Sequence, residues 1–93
     1  MLGLTLAALA MLGHGTTISI YNDGSFEISL WFAAKDVADL FPKGERLLLA
    51  EAKMQCGDKG APVVVHAPVI TGIDVQGKTR LVAMSGTYAC RKG

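Results

Sequence analysis

Apolar and polar residues alternate from residue 16 to residue 32, on both sides of the turn sequence Asn22-Asp23-Gly24. Such alternation is typical of β-strands that bury one face. If these three residues form the loop, Ile20 pairs with Phe26 and one face of the hairpin is wholly apolar, whereas a two-residue loop would split the apolar side. The three-residue loop also places Gly24 where a left-handed residue is needed. The sequence therefore predicts a β-hairpin in this register.

The residues that follow predict a short helix and then a third strand. Helical spacing over Ala33–Phe41 favours one or two turns of helix, which Pro42 and Gly44 are expected to end. Alternation returns over Arg46–Cys56 and predicts a strand. The alanine and glutamate residues of this segment also favour a helix, so the helical alternative stays open.

The sequence after Gly60 predicts one long hairpin, Pro62–Val75 and Lys78–Arg91, joined by the two-residue loop Gln76-Gly77. This loop predicts the cross-strand pairs Val69 with Met84, Thr71 with Val82, Val65 with Tyr88, and Val63 with Cys90. It also places His66 opposite the residue before Tyr88, on the polar face. Both prolines of the first strand direct their missing N–H groups away from the partner, which indicates a strand at the sheet edge.

Together these elements predict the order β-β-short α-β-β-β in one domain, residues 16–93. The fold class is mainly β with a minor α component, a small antiparallel β-barrel or sandwich of about five strands. A chain of 93 residues has room for one small core.

Residues 1–15 form a separate apolar segment. Leu2–Leu12 is apolar on every side, is shorter than the roughly 20 residues of a membrane-spanning helix, and matches the hydrophobic region of a signal peptide. Gly13-His14-Gly15 supplies small residues for cleavage before Thr16. However, no lysine or arginine precedes the apolar run. A signal peptide and a buried N-terminal helix or strand therefore both stay open.

Cys56 and Cys90 are the only cysteines, and each falls on the apolar face of its predicted strand. They predict a disulfide that would stabilise a small core by about 3–4 kcal/mol. Together with the apolar segment of residues 1–15, which we call the leader, they indicate a periplasmic or secreted protein. One alternative is two buried thiols in a cytoplasmic protein. The other is a zinc site completed by His14 and His66, although the chain lacks the ligand spacing of known zinc motifs.

Charge and motif content exclude several classes of function. Nine basic residues oppose eight acidic ones, and the basic residues are scattered rather than gathered into a stripe, which disfavours a nucleic-acid partner. The chain has neither of the glycine-rich phosphate-binding motifs and no nucleophile-elbow sequence. The sequence thus predicts neither an enzyme nor a cofactor, and it indicates no particular oligomeric state.

Trp31 is the residue most suggestive of binding. By alternation it projects with Glu27, away from the apolar face, and an exposed indole is a frequent anchor of protein interfaces. Alternatively, Trp31 packs under the short helix or the leader and forms a second small core. With Tyr21 and His66, these residues are the predicted partner-binding set.

Two functional hypotheses follow. The first is an exported, non-enzymatic binding module, such as an inhibitor, an adaptor or an assembly subunit, that acts through a protein partner. The alternative is a cytoplasmic OB-like domain that forms a dimer or binds single-stranded nucleic acid, with Trp31 and Tyr21 as stacking platforms.

Overall fold

The computed structural model describes residues 14–92, so most of the predicted leader lies outside the described residues. The helix and strands are β1 (His14–Ile20), β2 (Phe26–Ala34), α1 (Leu40–Cys56), β3 (Ala61–Gln76) and β4 (Thr79–Arg91). Short 3₁₀ turns, Val37–Asp39 and Gly57–Lys59, flank the helix. The strands form one antiparallel sheet in the order β1-β2-β4-β3, and α1 packs on one side of it.

The first hairpin has the predicted register. Ile20 pairs with Phe26, and Gly24 takes the left-handed conformation with φ of 90°. The Asp23 carboxylate accepts hydrogen bonds from the Ser25 hydroxyl (2.6 Å) and backbone N–H (2.9 Å), and these bonds lower the pKa of Asp23. The predicted turn is therefore confirmed, and a local side-chain bond supports it.

For residues 33–56, the bounds of the short helix and the third strand are predicted wrongly, whereas the helical alternative for Arg46–Cys56 is confirmed. Ala33 and the residue after it complete β2, and the segment predicted as the third strand lies within α1. Residues four apart share a face in both a strand and a helix, so the stripe that α1 buries was compatible with either: Leu40, Gly44, Leu48, Ala52 and Cys56. Ala50 and Met54, which a strand would have buried too, are exposed.

Pro42 and Gly44 do not end this helix but lie in its first turns. Pro42 is the third helical residue, where the backbone N–H has no partner within the helix and its loss is tolerated. At Gly44, an added Cβ would overlap the Met84 sulfur and come within 2.8 Å of a Phe32 ring carbon. The glycine therefore allows the helix to approach the sheet closely.

The second hairpin turns one residue later than predicted, at Gly77-Lys78, so Gln76 pairs with Thr79. Gly77 has φ of 63°, as expected for a glycine at the first position of a two-residue turn. The four predicted pairs are wrong. The observed ones include Pro62 with Cys90, Val64 with Tyr88, Ile70 with Met84, and Ile73 with Val82.

Three irregularities in β3, between residues 64 and 72, shift this register stepwise. As a result, His66 does lie opposite Thr87, as predicted. Pro68 lies within one of the irregularities, where no ladder hydrogen bond requires its N–H. The edge position of β3 is also confirmed.

The mainly antiparallel β-structure is confirmed, but the barrel or sandwich of five strands is not. Within residues 14–92 there are four strands in a single open sheet, because the third predicted strand is helical. The core lies between α1 and the sheet; its largest members are Phe32, Leu48, Met84 and Tyr88.

The predicted disulfide is present. Cys56, the last residue of α1, is bonded to Cys90 of β4, with the two Cα atoms 5.5 Å apart. The bond excludes free thiols and a zinc site on these two sulfur atoms. It joins the end of the helix to the sheet and closes one end of the core.

Candidate partner-binding face

The sheet has a second side, which α1 does not cover and which we call the open face. It consists of the residues of β2 and β4 whose side chains point away from the core, together with the residues that pair with them on β1 and β3. At its centre are Glu27, Ser29, Trp31, Ala83, Ser85 and Thr87. Side chains on this face do not fill the core. The strand register determines which of them are neighbours.

Trp31 lies on the open face between Gly15 of β1 and Ala83 of β4. The indole leans over Gly15, where an added Cβ would stand 2.5 Å from the indole nitrogen and 3.2 Å from Cδ1. It remains 37% exposed. The expectation that Trp31 packs under the short helix is wrong, because α1 is on the opposite side of the sheet. Packing under the leader stays a prediction, since residues 1–13 lie outside the described residues.

A depression of about 350 Å³ lies beside the indole. Trp31 forms one wall, Ala83 and Gly72 form the floor, and Asp74 and Leu81 lie in the adjoining row of residues. Open space lies above Gly72, since no atom stands within 4 Å of an added Cβ. The depression exists because the indole leans toward β1 and the residues on its other side are small.

A polar row crosses the open face on one side of this depression, separated from it by the row that contains Ser29 and Ser85. Glu27 pairs with Thr87, which pairs with His66, so Glu27 and His66 are separated by two strand spacings, about 9.5 Å. The Tyr21 hydroxyl donates to Glu27 Oε1 at 3.3 Å. Partial desolvation, together with the Glu27 carboxylate, raises the pKa of Tyr21.

All four predicted partner-binding residues therefore belong to one side of the sheet. Trp31, Glu27 and His66 occupy open-face positions, and Tyr21 reaches the same side through its bond to Glu27. Their role in binding stays a prediction. Asp74 and Gly72 were not predicted from the sequence, because their place beside Trp31 depends on the irregular register of β3.

A second feature that the sequence analysis missed is an apolar strip on β3, on the helix side of the sheet. Val64, Ile70 and Ile73 pair with core residues of β4, and Val75 pairs with Arg80, yet between 38% and 64% of each of these four apolar residues is exposed. The helix contacts β2, β4 and part of β3 but leaves these four residues largely exposed. The strip can be recognised from the pairing of β3 with β4, and not from the alternation of apolar and polar residues along β3.

Two other recesses lie near the ends of the sheet. One, of about 370 Å³, is lined by residues around Asp23 and Cys90, and the other, of about 490 Å³, by residues around Asp36 and Lys43. Lys43 Nζ donates to the Ala33 carbonyl at 2.8 Å. In the described part of the chain, no three histidine, cysteine or acidic residues are grouped so as to hold a metal ion.

Within residues 14–92, no helix combines the length and hydrophobicity needed to cross a bilayer. Comparison with protein-family models, with curated proteins and with solved structures finds no match to this chain.

Proposed function

We propose that this chain is an exported, non-enzymatic binding module that engages a protein partner through the open face, with Trp31 as the anchor. The observation that carries the proposal is a two-thirds covered indole beside a depression, at the centre of a sheet face that α1 leaves bare. Interface hot spots are enriched in tryptophan next to pockets that a partner side chain fills. An inhibitor, an adaptor and an assembly subunit are the kinds of module that we propose.

The disulfide supports an extracytoplasmic location. Disulfides persist in oxidising compartments such as the periplasm and the extracellular space, and are rare in the cytoplasm. A single bond that joins the helix end to the sheet suits a domain with a small core.

The proposal is tested by photo-crosslinking in cells that express the chain natively. A photoreactive p-benzoylphenylalanine replaces Ser29, at the centre of the open face, or Met54, which is 70% exposed on the helix. We expect one discrete protein adduct from position 29, its loss when Trp31→Ala is added, and no such adduct from position 54. An adduct that survives Trp31→Ala, or none from position 29, would overturn the proposal.

Export is tested separately by intact mass with and without reduction. We expect both cysteines to resist alkylation until a reductant is added, and the protein to be recovered from the extracytoplasmic fraction. Free thiols in the native cell would contradict export, and the cytoplasmic alternative would then take its place.

A further inference from the structure

The depression beside Trp31 is chemically asymmetric. Its wall is an aromatic ring, its floor is formed by the small residues Ala83 and Gly72, and the exposed residue Asp74 stands at its edge. A partner side chain that fills this space contacts the indole and lies beside Asp74, an exposed carboxylate of the adjoining row. An aliphatic side chain would desolvate the carboxylate without a compensating bond.

The charges of the neighbouring residues leave this carboxylate open to a cation. Asp74 Oδ2 accepts from the Gln76 amide at 3.1 Å, a neutral donor that does not cancel the charge. Arg80, which precedes Leu81 in β4, donates instead to the Lys35 carbonyl at 2.9 Å. Glu27, four residues before Trp31 on β2, adds a second negative charge to the open face.

An arginine side chain can contact the Trp31 indole and the Asp74 carboxylate at the same time. Its guanidinium is planar, stacks on aromatic faces and pairs with a carboxylate through two parallel N–H groups. A lysine ammonium is a compact and strongly hydrated charge that can use one of these contacts well but not both. The depression is large enough for the guanidinium and part of its aliphatic stem.

We infer that this depression is a subsite for an arginine of the protein partner, stacked on Trp31 and paired with Asp74. The inference rests on the proposed function and specifies its partner, a protein that presents an exposed arginine to the open face. It also assigns roles: Trp31 stacks, Asp74 pairs, and Gly72 keeps the space free.

The subsite is tested on the isolated chain with N-acetylarginine amide as the probe, followed by two-dimensional ¹H–¹⁵N NMR. We expect saturable shifts of the Trp31 indole N–H and the Gly72 amide at millimolar probe concentrations. N-acetyllysine amide should bind at least threefold more weakly, and N-acetylleucine amide should give no saturable shift. An unsaturated or absent response up to about 100 mM arginine probe, or equal binding of the leucine probe, would overturn the inference.

Three variants separate charge, space and nonspecific effects. Asp74→Asn should weaken the arginine probe at least fivefold, and Asp58→Asn, which removes an exposed carboxylate from the turn after α1, should not. Gly72→Val should abolish binding by filling the depression, since Gly72 has no positive φ and open space above it. Unchanged spectra elsewhere show that each variant is folded. Equal effects of Asp74→Asn and Asp58→Asn would contradict a specific pair.

The two proposals fail in different ways. If the crosslinked adduct from position 29 depends on Trp31 but not on Asp74, the protein-binding function stands and the arginine subsite is wrong. If the arginine probe binds as expected but no adduct forms, the subsite is present and the proposed function is wrong. Loss of the adduct with Asp74→Asn supports both.

Discussion

The two sides of the sheet use the same strands for different purposes. Phe32 and Trp31 are adjacent aromatic residues on β2, yet Phe32 is 1% exposed under α1 and Trp31 is 37% exposed on the open face. The helix side determines stability, because its side chains fill the space between two layers. The open face is free of that constraint, so its shape can serve recognition. Substitutions on the two sides should therefore separate loss of stability from loss of binding.

The largest stability effect is expected from Phe32→Ala. Its ring lies under the Lys43 ammonium, 5.9 Å from the ring centroid, and beside the Gly44 backbone, so truncation leaves a cavity at the point of closest helix–sheet approach. We expect a loss of about 3–5 kcal/mol in the free energy of unfolding, measured by urea denaturation. A loss below about 1 kcal/mol would mean that the core closes over the gap and the helix side is less tightly packed than described.

Removal of the disulfide should have the next largest effect. The double substitution Cys56→Ala and Cys90→Ala opens a loop with a sequence separation of 34 residues and should cost about 2–4 kcal/mol. Reduction of the wild-type protein serves as the control, since it breaks the same bond without changing side-chain volume. If both treatments leave the unfolding midpoint unchanged, the bond does not contribute to the helix-side core.

Two glycines, one on each side, make a matched test. Gly44→Ala places a methyl group against Met84 and Phe32 and should cost about 1–3 kcal/mol, although alanine favours a helix by about 1 kcal/mol. Gly72→Ala meets open space and should be neutral or slightly stabilising. Urea denaturation of both variants decides the matter, and equal stability would contradict the close approach at Gly44.

The sequence predicted the parts of the fold whose pattern has one solution. At the first hairpin, parity allowed only one loop length, so the Ile20–Phe26 pair was predicted correctly. In the helix, the buried stripe repeats every four residues, and that spacing satisfies a strand and a helix equally. Ala50 and Met54 would have distinguished the two, but both are apolar and could have been buried in a strand.

The candidate site was predicted only in part, for a related reason. Alternation along β2 correctly placed Glu27 and Trp31 away from the core. The far wall of the depression lies two strands away, where three irregularities in β3 change the register. No short-range pattern predicts how such irregularities accumulate, so Asp74 could not be assigned to Trp31 from the sequence.

Tyr88, on the helix side, contributes a smaller effect on the free energy of unfolding, and this effect is confined to alkaline pH. Burial, together with the Glu45 carboxylate, raises the pKa of Tyr88 above its ordinary value of 10.0. The unfolded chain loses this proton near pH 10, whereas the folded protein keeps it to higher pH. The contribution of Tyr88 to stability is therefore fully present below about pH 10 and is lost as the pH rises through the pKa of the folded protein.

Tyr88→Phe should remove this dependence. We expect the free energy of unfolding to fall more steeply above about pH 10 in the wild type than in the variant. Tyr21, which also has a raised pKa, is present in both proteins and cancels in the comparison. Parallel pH profiles would mean that Tyr88 titrates normally and that the helix side admits solvent at this point.

Trp31→Ala is expected to have a much smaller effect on stability than Phe32→Ala, and here the comparison of the two sides is sharpest. The indole covers Gly15 but fills no part of the core, so its removal should cost only about 1 kcal/mol, against 3–5 kcal/mol for the adjacent Phe32→Ala. Gly15→Ala is the companion variant, because it keeps the indole but forces the ring away from β1. It should shift the tryptophan fluorescence and weaken the arginine probe while leaving stability nearly unchanged. If Trp31→Ala instead unfolds the protein as readily as Phe32→Ala, the indole is a structural residue of a second core, and the open face loses its claim to be a binding surface.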